Sequence, residues 1–352
     1  MANWLESMQR TYEYYIVDPM TWRDKKPITT VKSCSITRDA EVETLGSASF
    51  DIDESIGENY VRAYLIAIQN GVKEKHPLGT FLVQTPSTSF DGRVRSTSLD
   101  AYTPLIELKE NSPPIGYYVE KGTNIMEAAY RIARENMRAP VVEAKCDSTL
   151  SYDFVANTGD TWLSFLIDLI ASANYRLDLD EMGRVLFAPK QSLTSLRPIW
   201  TYDDDNSSIL YPELSIDNDM YGVPNVVEVV YYDGQRHYEC VVSNDDENSP
   251  VSTVSRGRKI IYRDTDPDIP GVPDQEQIDE YANRLLQELS SLERTVSYSH
   301  GYCPIRLRDC VRLNYTRANM SDVKAQVISQ TIKCTPSCTV SEKAIFTSNL
   351  WR

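Results

Sequence analysis

Apolar and polar positions alternate with the period of strands from Tyr12 to Ala101, and this pattern predicts a first block of β structure. In "ASFDID", Ala48, Phe50 and Ile52 fall on one face and Ser49, Asp51 and Asp53 on the other, as in a sheet with one wet side. "NYVRAYLIAIQNG" is apolar on both faces, so that strand is expected to be covered on both sides. "LGTFLVQTPSTSFDGRVRSTSLDAYTPL", Leu78 to Leu105, reads as two long strands joined at Asp91-Gly92. The period then changes. Adjacent prolines in "NSPPIGYY" end regular structure, and a helical signal follows.

Thr123 is placed to cap "NIMEAAYRIAREN", in which Ile125, Ala128, Ala129 and Ile132 share a face. Thr158 or Asp160 is placed to cap "TWLSFLIDLIASANY", with Trp162, Phe165, Leu166, Leu169, Ile170 and Ala173 on a wide apolar stripe. "YRLDLDEMGRVLFAP" predicts a hairpin turning near Met182-Gly183. Strand signals return in "NVVEVVYYDGQRHYECVVS", with Asp233-Gly234 as its turn, and in "RKIIYR", "RTVSYSH", "DCVRLNYT", "KAQVISQTIKC" and "TVSEKAIF". One helix, residues 275–294, interrupts them. Asp274 and Gln277 form an acidic variant of a capping box, and Ile278, Tyr281, Leu285, Leu289 and Leu292 follow at three- and four-residue steps. The expected fold is mainly β with an α+β insert: a β block over 1–112, a small α/β unit over 113–200, and a second β block over 201–352 whose helix packs on it.

Length supports several domains, since 352 residues exceed what one core usually fills. Hydrophobic residues at 41% exclude a disordered chain, and 22 Tyr against 7 Phe favour surfaces that are half apolar and half wet. The formal charge of −15 repels phosphate backbones and anionic lipid, which disfavours tight nucleic-acid binding. The acidic stretches "YDDDNSS", "NDDENSP" and "DTDPDIPGVPD" lack calcium-loop spacing and read as solvated loops. Without an apolar run of membrane length or a secretory leader pattern, a soluble protein made in the cytoplasm is expected. Seven cysteines, an odd number scattered from Cys34 to Cys338, read as reduced thiols.

Candidate chemistry is thin. The chain holds no GxSxG, HExxH, GxxxxGK[ST] or GxGxxG. His76, His237 and His300 lie far apart, beside turns or at strand positions expected to face outward. Cys303 and His300 could form a Cys–His pair, but no orienting third group is apparent. Cys303, Cys310, Cys334 and Cys338 form the best metal candidate, yet the gaps of six, twenty-three and three residues do not match a zinc knuckle, so free thiols are preferred. Carboxylate pairs are too numerous to single out a glycosidase dyad. No catalytic residue, metal or cofactor is assigned.

The order of the parts carries a resemblance. "HPLGTFLVQTPSTSFDGRVRSTSLDAYTPLIEL", the "GTNIMEAAYRIA" helix, "NTGDTWLSFLIDLIASANYRLDLDEMGRVLF", "YGVPNVVEVVYYDG" and "EYANRLLQELSSLERTVSYSH" together resemble the hub proteins of phage tail tips, baseplates and related contractile injection machines. The resemblance implies two tail-tube-like β-barrel domains flanking the α/β unit, and a non-enzymatic virion structural protein. It implies a homotrimer, a symmetry adaptor joining a sixfold tail tube or distal tail ring protein above to a threefold spike or fibre below. A tape measure protein would be a further partner, and DNA would pass through the lumen during ejection without specific binding. Assembly would take place in the host cytoplasm, with no membrane insertion of its own. Any cell-wall cutting is expected to belong to another protein, since no hydrolase segment follows "FTSNLWR". The alternatives are a carboxylate-dependent cell-wall glycan hydrolase and a carbohydrate-binding tail protein.

Overall fold

The computed structural model describes residues 2–348 except 93, 206–207, 219–220, 233–234, 266, 268–273 and 290–291. Strands take 46% of the chain and helices 15%, so the fold is mainly β, as its alternation predicts. It divides into two compact units. The larger comprises Met1–Leu214 with Tyr298–Ala344, and the smaller Ser215–Ser297 with the residues from Ile345 onward.

In the larger unit the first seven strands pair antiparallel. Val31–Asp39 pairs with Gly46–Ile52, which pairs with Val94–Tyr102, followed by Val72–Asp91, Tyr60–Gln69, Gln9–Val17 and Asp24–Ile28. Ala48, Phe50 and Ile52 are buried while Ser49 is exposed, and residues 60–67 are buried without a break. That run is the two-sided strand expected from its composition. The sheet does not stop with the first block. Ser329–Lys333 pairs with Ser35–Asp39, so strands from near both ends of the unit's sequence lie side by side. Gln9–Val17 also reaches the turn after Lys333, where Tyr12 Oη donates to the Thr335 carbonyl at 2.7 Å and Arg10 Nη1 to that of Ser337 at 2.8 Å.

The α/β segment packs two helices on a hairpin. Ile125–Asn136 and Trp162–Ala171 bury Ile125, Ala129, Ile132, Trp162, Phe165 and Leu169, and Tyr175–Leu179 pairs with Val185–Pro189 beneath them. The caps differ from expectation by a residue or so. Asn124, not Thr123, caps the first helix, accepting from the Glu127 amide. Thr161, not Thr158 or Asp160, caps the second through a reciprocal capping box with Ser164. In both cases the residue that caps lies nearer the helix, where its side-chain oxygen reaches the amide three residues on. Ala173 lies beyond the second helix, which ends at Ala171.

Arg62 ties this segment to the first strands. Its side chain is 1% exposed and pairs with Asp24 at 2.8 Å, donates to Thr80 Oγ1 at 2.8 Å and reaches the Met182 carbonyl at 3.1 Å. Trp22 Nε1 donates to that same carbonyl at 2.7 Å. Gly183 completes the turn with φ +74°, and a Cβ there would stand 2.8 Å from Thr80 Cβ and 3.2 Å from the Trp22 ring. A side chain is thus excluded both by conformation and by space.

The smaller unit is a three-stranded sheet with a helix on it. Val226–Tyr232 lies between His237–Ser243, antiparallel, and Ile261–Asp264, parallel. The expected hairpin is present, although its turn, Asp233-Gly234, lies outside the described residues. The capping box at Asp274 and Gln277 forms in both directions, at 3.0 and 2.9 Å. The helix then runs over Gln275–Leu289 and ends short of residue 294; Leu292 begins a strand. Ile278, Ala282 and Leu286 are its buried stripe against Val227 and Val229, whereas Tyr281, Leu285 and Leu289 flank it half-buried. Steps of four place the small Ala282 over the sheet, a position that a search for large apolar residues passes over.

Candidate functional site

Three places in the larger unit could carry function: a buried polar cluster, a mixed-charge cavity and a projecting hairpin. The cluster forms where Leu292–Gly301 lies in one sheet beside Thr339–Ser348. His300 is buried, not outward-facing as its position predicted, and its Nε2 stands 3.2 Å from Glu342 Oε1. Tyr202 Oη lies 2.9 Å from the same Nε2, and His300 Nδ1 lies 2.6 Å from the Gly301 carbonyl. Glu342 also accepts from Tyr298 Oη at 2.8 Å and from Gln330 Nε2 at 2.5 Å. Outward alternation fails here because Tyr298, His300 and Tyr302 share a buried face, so the histidine sits among tyrosines and needs a counter-charge.

Burial pulls the His300 imidazole down, but the Glu342 carboxylate and the Cys303 sulfur push it up more, to about 10. Burial raises Glu342, while His300, Gln330 and Tyr298 lower it further than burial raises it. The pair is therefore ionised across the neutral range. Cys303 Sγ lies 3.9 Å from His300 Nδ1, so a Cys, a His and an acidic third group do meet. Sequence order gives no signal of this, because Glu342 is 42 residues from His300. All three side chains are sealed from solvent, however, and a substrate carbonyl could not reach the sulfur. The arrangement is a charged clamp between strands rather than a nucleophile.

His237 is exposed, as expected, and His76 is half-buried against Trp4, ring centroids 5.0 Å apart, with burial pulling its pKa down. Cys303, Cys310, Cys334 and Cys338 do not converge as a set: Cys303 faces His300, Cys338 neighbours Tyr12, and Cys334 neighbours Cys34 and Tyr14. No group of three or more His, Cys, Asp or Glu side chains able to hold a metal occurs among the described residues. No helix among them is long and apolar enough to cross a membrane.

The cavity has a volume of about 270 Å³ and lies between the first strands and the 175–189 hairpin. Arg38, Arg176, Arg306 and Arg308 line it, but each has a carboxylate: Glu181 lies 3.9 Å from Arg38 and 2.6 Å from Arg306, and Asp178 lies 3.5 Å from Arg308 and 4.0 Å from Arg176. Internally neutralised charge of this kind holds the hairpin in place and offers little to an ionic ligand.

The hairpin projects from the sheet. Tyr60–Gln69 pairs with its first strand only up to Leu82, and Gly46–Ile52 pairs with its second strand from Thr97 onward. Beyond those limits, Ser89, Phe90 and Asp91 pair only with Ser96, Arg95 and Val94, turning through Gly92 at φ +58°. Among the described residues both outer edges of this short arm are unpaired, over about 10 Å. Phe90 is 74% exposed near its tip.

No family model matches the chain, and no curated protein matches it by sequence. Solved structures do. A tail protein from Neisseria meningitidis MC58 superposes with a TM-score of 0.63 at 12% identity, covering 96% of this chain and 97% of that one. The 43 kDa tail protein of prophage MuSo2 from Shewanella oneidensis gives 0.60 at 11% identity, with 95% and 97% covered. A chain of the Francisella PdpA–VgrG complex gives 0.57 at 8% identity; 98% of this chain matches 53% of that one. The chain has the fold of phage tail proteins, and the resemblance read from the order of its parts agrees with it.

Proposed function

We propose that the protein is the structural hub of a phage tail tip or baseplate, working through interfaces rather than through a pocket. The observation that carries the reading is the arm formed by residues 89–91 and 94–96. An isolated two-stranded ribbon is marginal in water, and two unpaired edges recruit further strands unless they are covered. A second copy of the chain, adding a strand to that edge, is the occupant that closes a ring. The shared fold of the Neisseria and Shewanella tail proteins supports this placement.

In the full reading, three copies form a ring that joins a sixfold tail tube to a threefold spike or fibre. Residues 1–112 and 201–352 supply tube-like barrels, and residues 113–200 the insert. Tail tube or distal tail ring proteins bind above, the spike or fibre below, and the tape measure protein nearby. The charge of −15 suits a lumen through which DNA slides without adhering. The test is native mass over a dilution series together with particle averages viewed down the axis. A species of three times 40.1 kDa, about 120 kDa, with six lobes and a central hole is expected. Deleting residues 89–96 should return it to monomer. A 40.1 kDa monomer at every concentration, with or without the arm, overturns the reading.

A further inference from the structure

The thiol at Cys34 is buried within the third strand, Val31–Asp39, and that at Cys334 is half-exposed just past the end of the neighbouring strand. The ladder between them pairs Thr331 with Thr37, Ile332 with Ile36 and Lys333 with Ser35. Continuing that register sets Cys334 directly opposite Cys34, and the Cys334 amide donates to the Cys34 carbonyl at 3.0 Å. Side chains two apart share a face, so both cysteines leave the sheet on the side of Ile36 and Ile332, which are buried. The Tyr14 phenol lies against both sulfurs and is raised by burial and by them.

We infer that Cys34 and Cys334 are an oxidative cross-linking site, joining the third strand to the end of the strand that enters the sheet from the C-terminal part of the chain. Opposed residues at a hydrogen-bonded pair have Cα atoms about 5.5 Å apart, within the range that disulfides span. Their Cβ atoms must approach by roughly 1–2 Å to reach disulfide spacing. Cys334 lies outside the ladder, beside the turn at 335–338, where that movement breaks no strand pairing. The bond is therefore mildly strained, and strain makes it more readily reduced than an ordinary structural disulfide. It is open in a reducing cytoplasm and closes in an oxidising medium.

With oxidised glutathione as the oxidant, the order of events follows from exposure. The Cys334 thiolate attacks one sulfur of glutathione disulfide, forming a mixed disulfide and releasing one glutathione thiolate. Cys34 then loses its proton and attacks the Cys334 sulfur, expelling the second glutathione thiolate. The two protein thiols give up two electrons, and one glutathione disulfide becomes two glutathione thiols. Burial and the adjacent Cys334 sulfur raise the Cys34 thiol, which keeps it from reacting first and leaves the opening attack to the more exposed Cys334.

The full chain is incubated with glutathione buffers of graded oxidised-to-reduced ratio, quenched by acid and alkylation, and digested with trypsin without reductant. Seven free thiols are expected to fall to five, with residues 33–38 joined to residues 334–343. Cys34→Ser and Cys334→Ser should each abolish the link, while Cys338→Ser should leave it intact. The melting temperature of the wild type should rise on oxidation and return with dithiothreitol, and that of Cys34→Ser should not move. Retention of seven thiols in fully oxidised buffer overturns the inference. So does a link between Cys334 and Cys338, or one that survives Cys34→Ser. The proposal rests on the strand pairing alone and stands whether or not the chain forms a ring.

Discussion

Arg62→Met removes the charge that joins the first strands to the 175–189 hairpin while keeping most of the aliphatic stem. The lost contacts are the pair to Asp24 at 2.8 Å, the bonds to Thr80 Oγ1 and the Met182 carbonyl at 2.8 and 3.1 Å, and two longer bonds to the Trp22 carbonyl at 3.4 Å. Breaking a fully buried pair costs about 3–5 kcal/mol, mostly because the surviving partner is stranded. Here the survivors are better off. Asp24 is 26% exposed and keeps the Tyr64 hydroxyl at 2.7 Å, and the Met182 carbonyl keeps Trp22 Nε1 at 2.7 Å. Thr80, at 2% exposure, bears its loss in full. The net expectation is about 3 kcal/mol, of which about 1–2 kcal/mol should appear as coupling in a double-mutant cycle with Asp24→Asn. Equilibrium urea unfolding followed by circular dichroism and by tryptophan fluorescence measures both quantities, since Trp22 lies beside the guanidinium, 6.0 Å from ring centroid to Cζ. A loss under about 1 kcal/mol, or coupling within about 0.5 kcal/mol of zero, would show that the hairpin is held by packing and not by this charge.

Gly183→Ala should cost about 2 kcal/mol in the same assay, from a left-handed residue gaining a Cβ 2.8 Å from Thr80 Cβ; a neutral result would mean that the turn shifts freely. Leu286→Asp should open the smaller unit, since it buries a carboxylate at 2% exposure and forfeits a leucine, about 4 kcal/mol or more together. Limited proteolysis should then cut within 215–297, and Leu285→Asp, on the half-buried flank, should cut far less; equal sensitivity of the two would refute the stripe at 278, 282 and 286. The His300–Glu342 pair predicts a pH profile. His300 titrates near 10 when folded against 6.5 for an ordinary imidazole, so its contribution is complete below pH 6.5 and is lost as pH rises toward 10. Glu342 is lowered from 4.5, so its contribution is present above pH 4.5 and is lost as pH falls below that. The stability gap between wild type and His300→Gln should therefore be widest between pH 4.5 and 6.5 and shrink by pH 10, and a gap that is flat or grows across that range contradicts the ionised pair.

Local chemistry was readable wherever one segment decides its own structure. Alternation in "ASFDID", the two-sided apolar run at residues 60–67, the hairpin at Met182-Gly183 and the Asp274–Gln277 capping box all depend on residues close in sequence. What could not be read depends on partners far away. Period two places His300 on a face but does not say that Tyr202 and Glu342 meet it there, because those contacts span 98 and 42 residues. The helix stripe was misplaced by one position because Ala282 is small, and size, more than hydropathy, decides which row lies closest to a sheet. Arg62 shows the same limit in sharper form. A charge in the middle of an apolar strand reads as a blemish until Asp24, Thr80 and Met182 are set around it.

The pairing of residues 329–333 with residues 35–39 sets a schedule for folding. The third strand meets Gly46–Ile52 early, but nearly three hundred residues must be synthesised before it meets its second neighbour, so the edge of the early sheet waits open while the ribosome works. Closing so long a loop costs little more than closing a medium one, because the entropy grows only with the logarithm of length. The delay is thus one of time rather than of stability. A chain that ends before residue 329 would leave the backbone hydrogen-bonding groups along residues 35–39 without their strand partner, and the buried Ile36 without its neighbour Ile332.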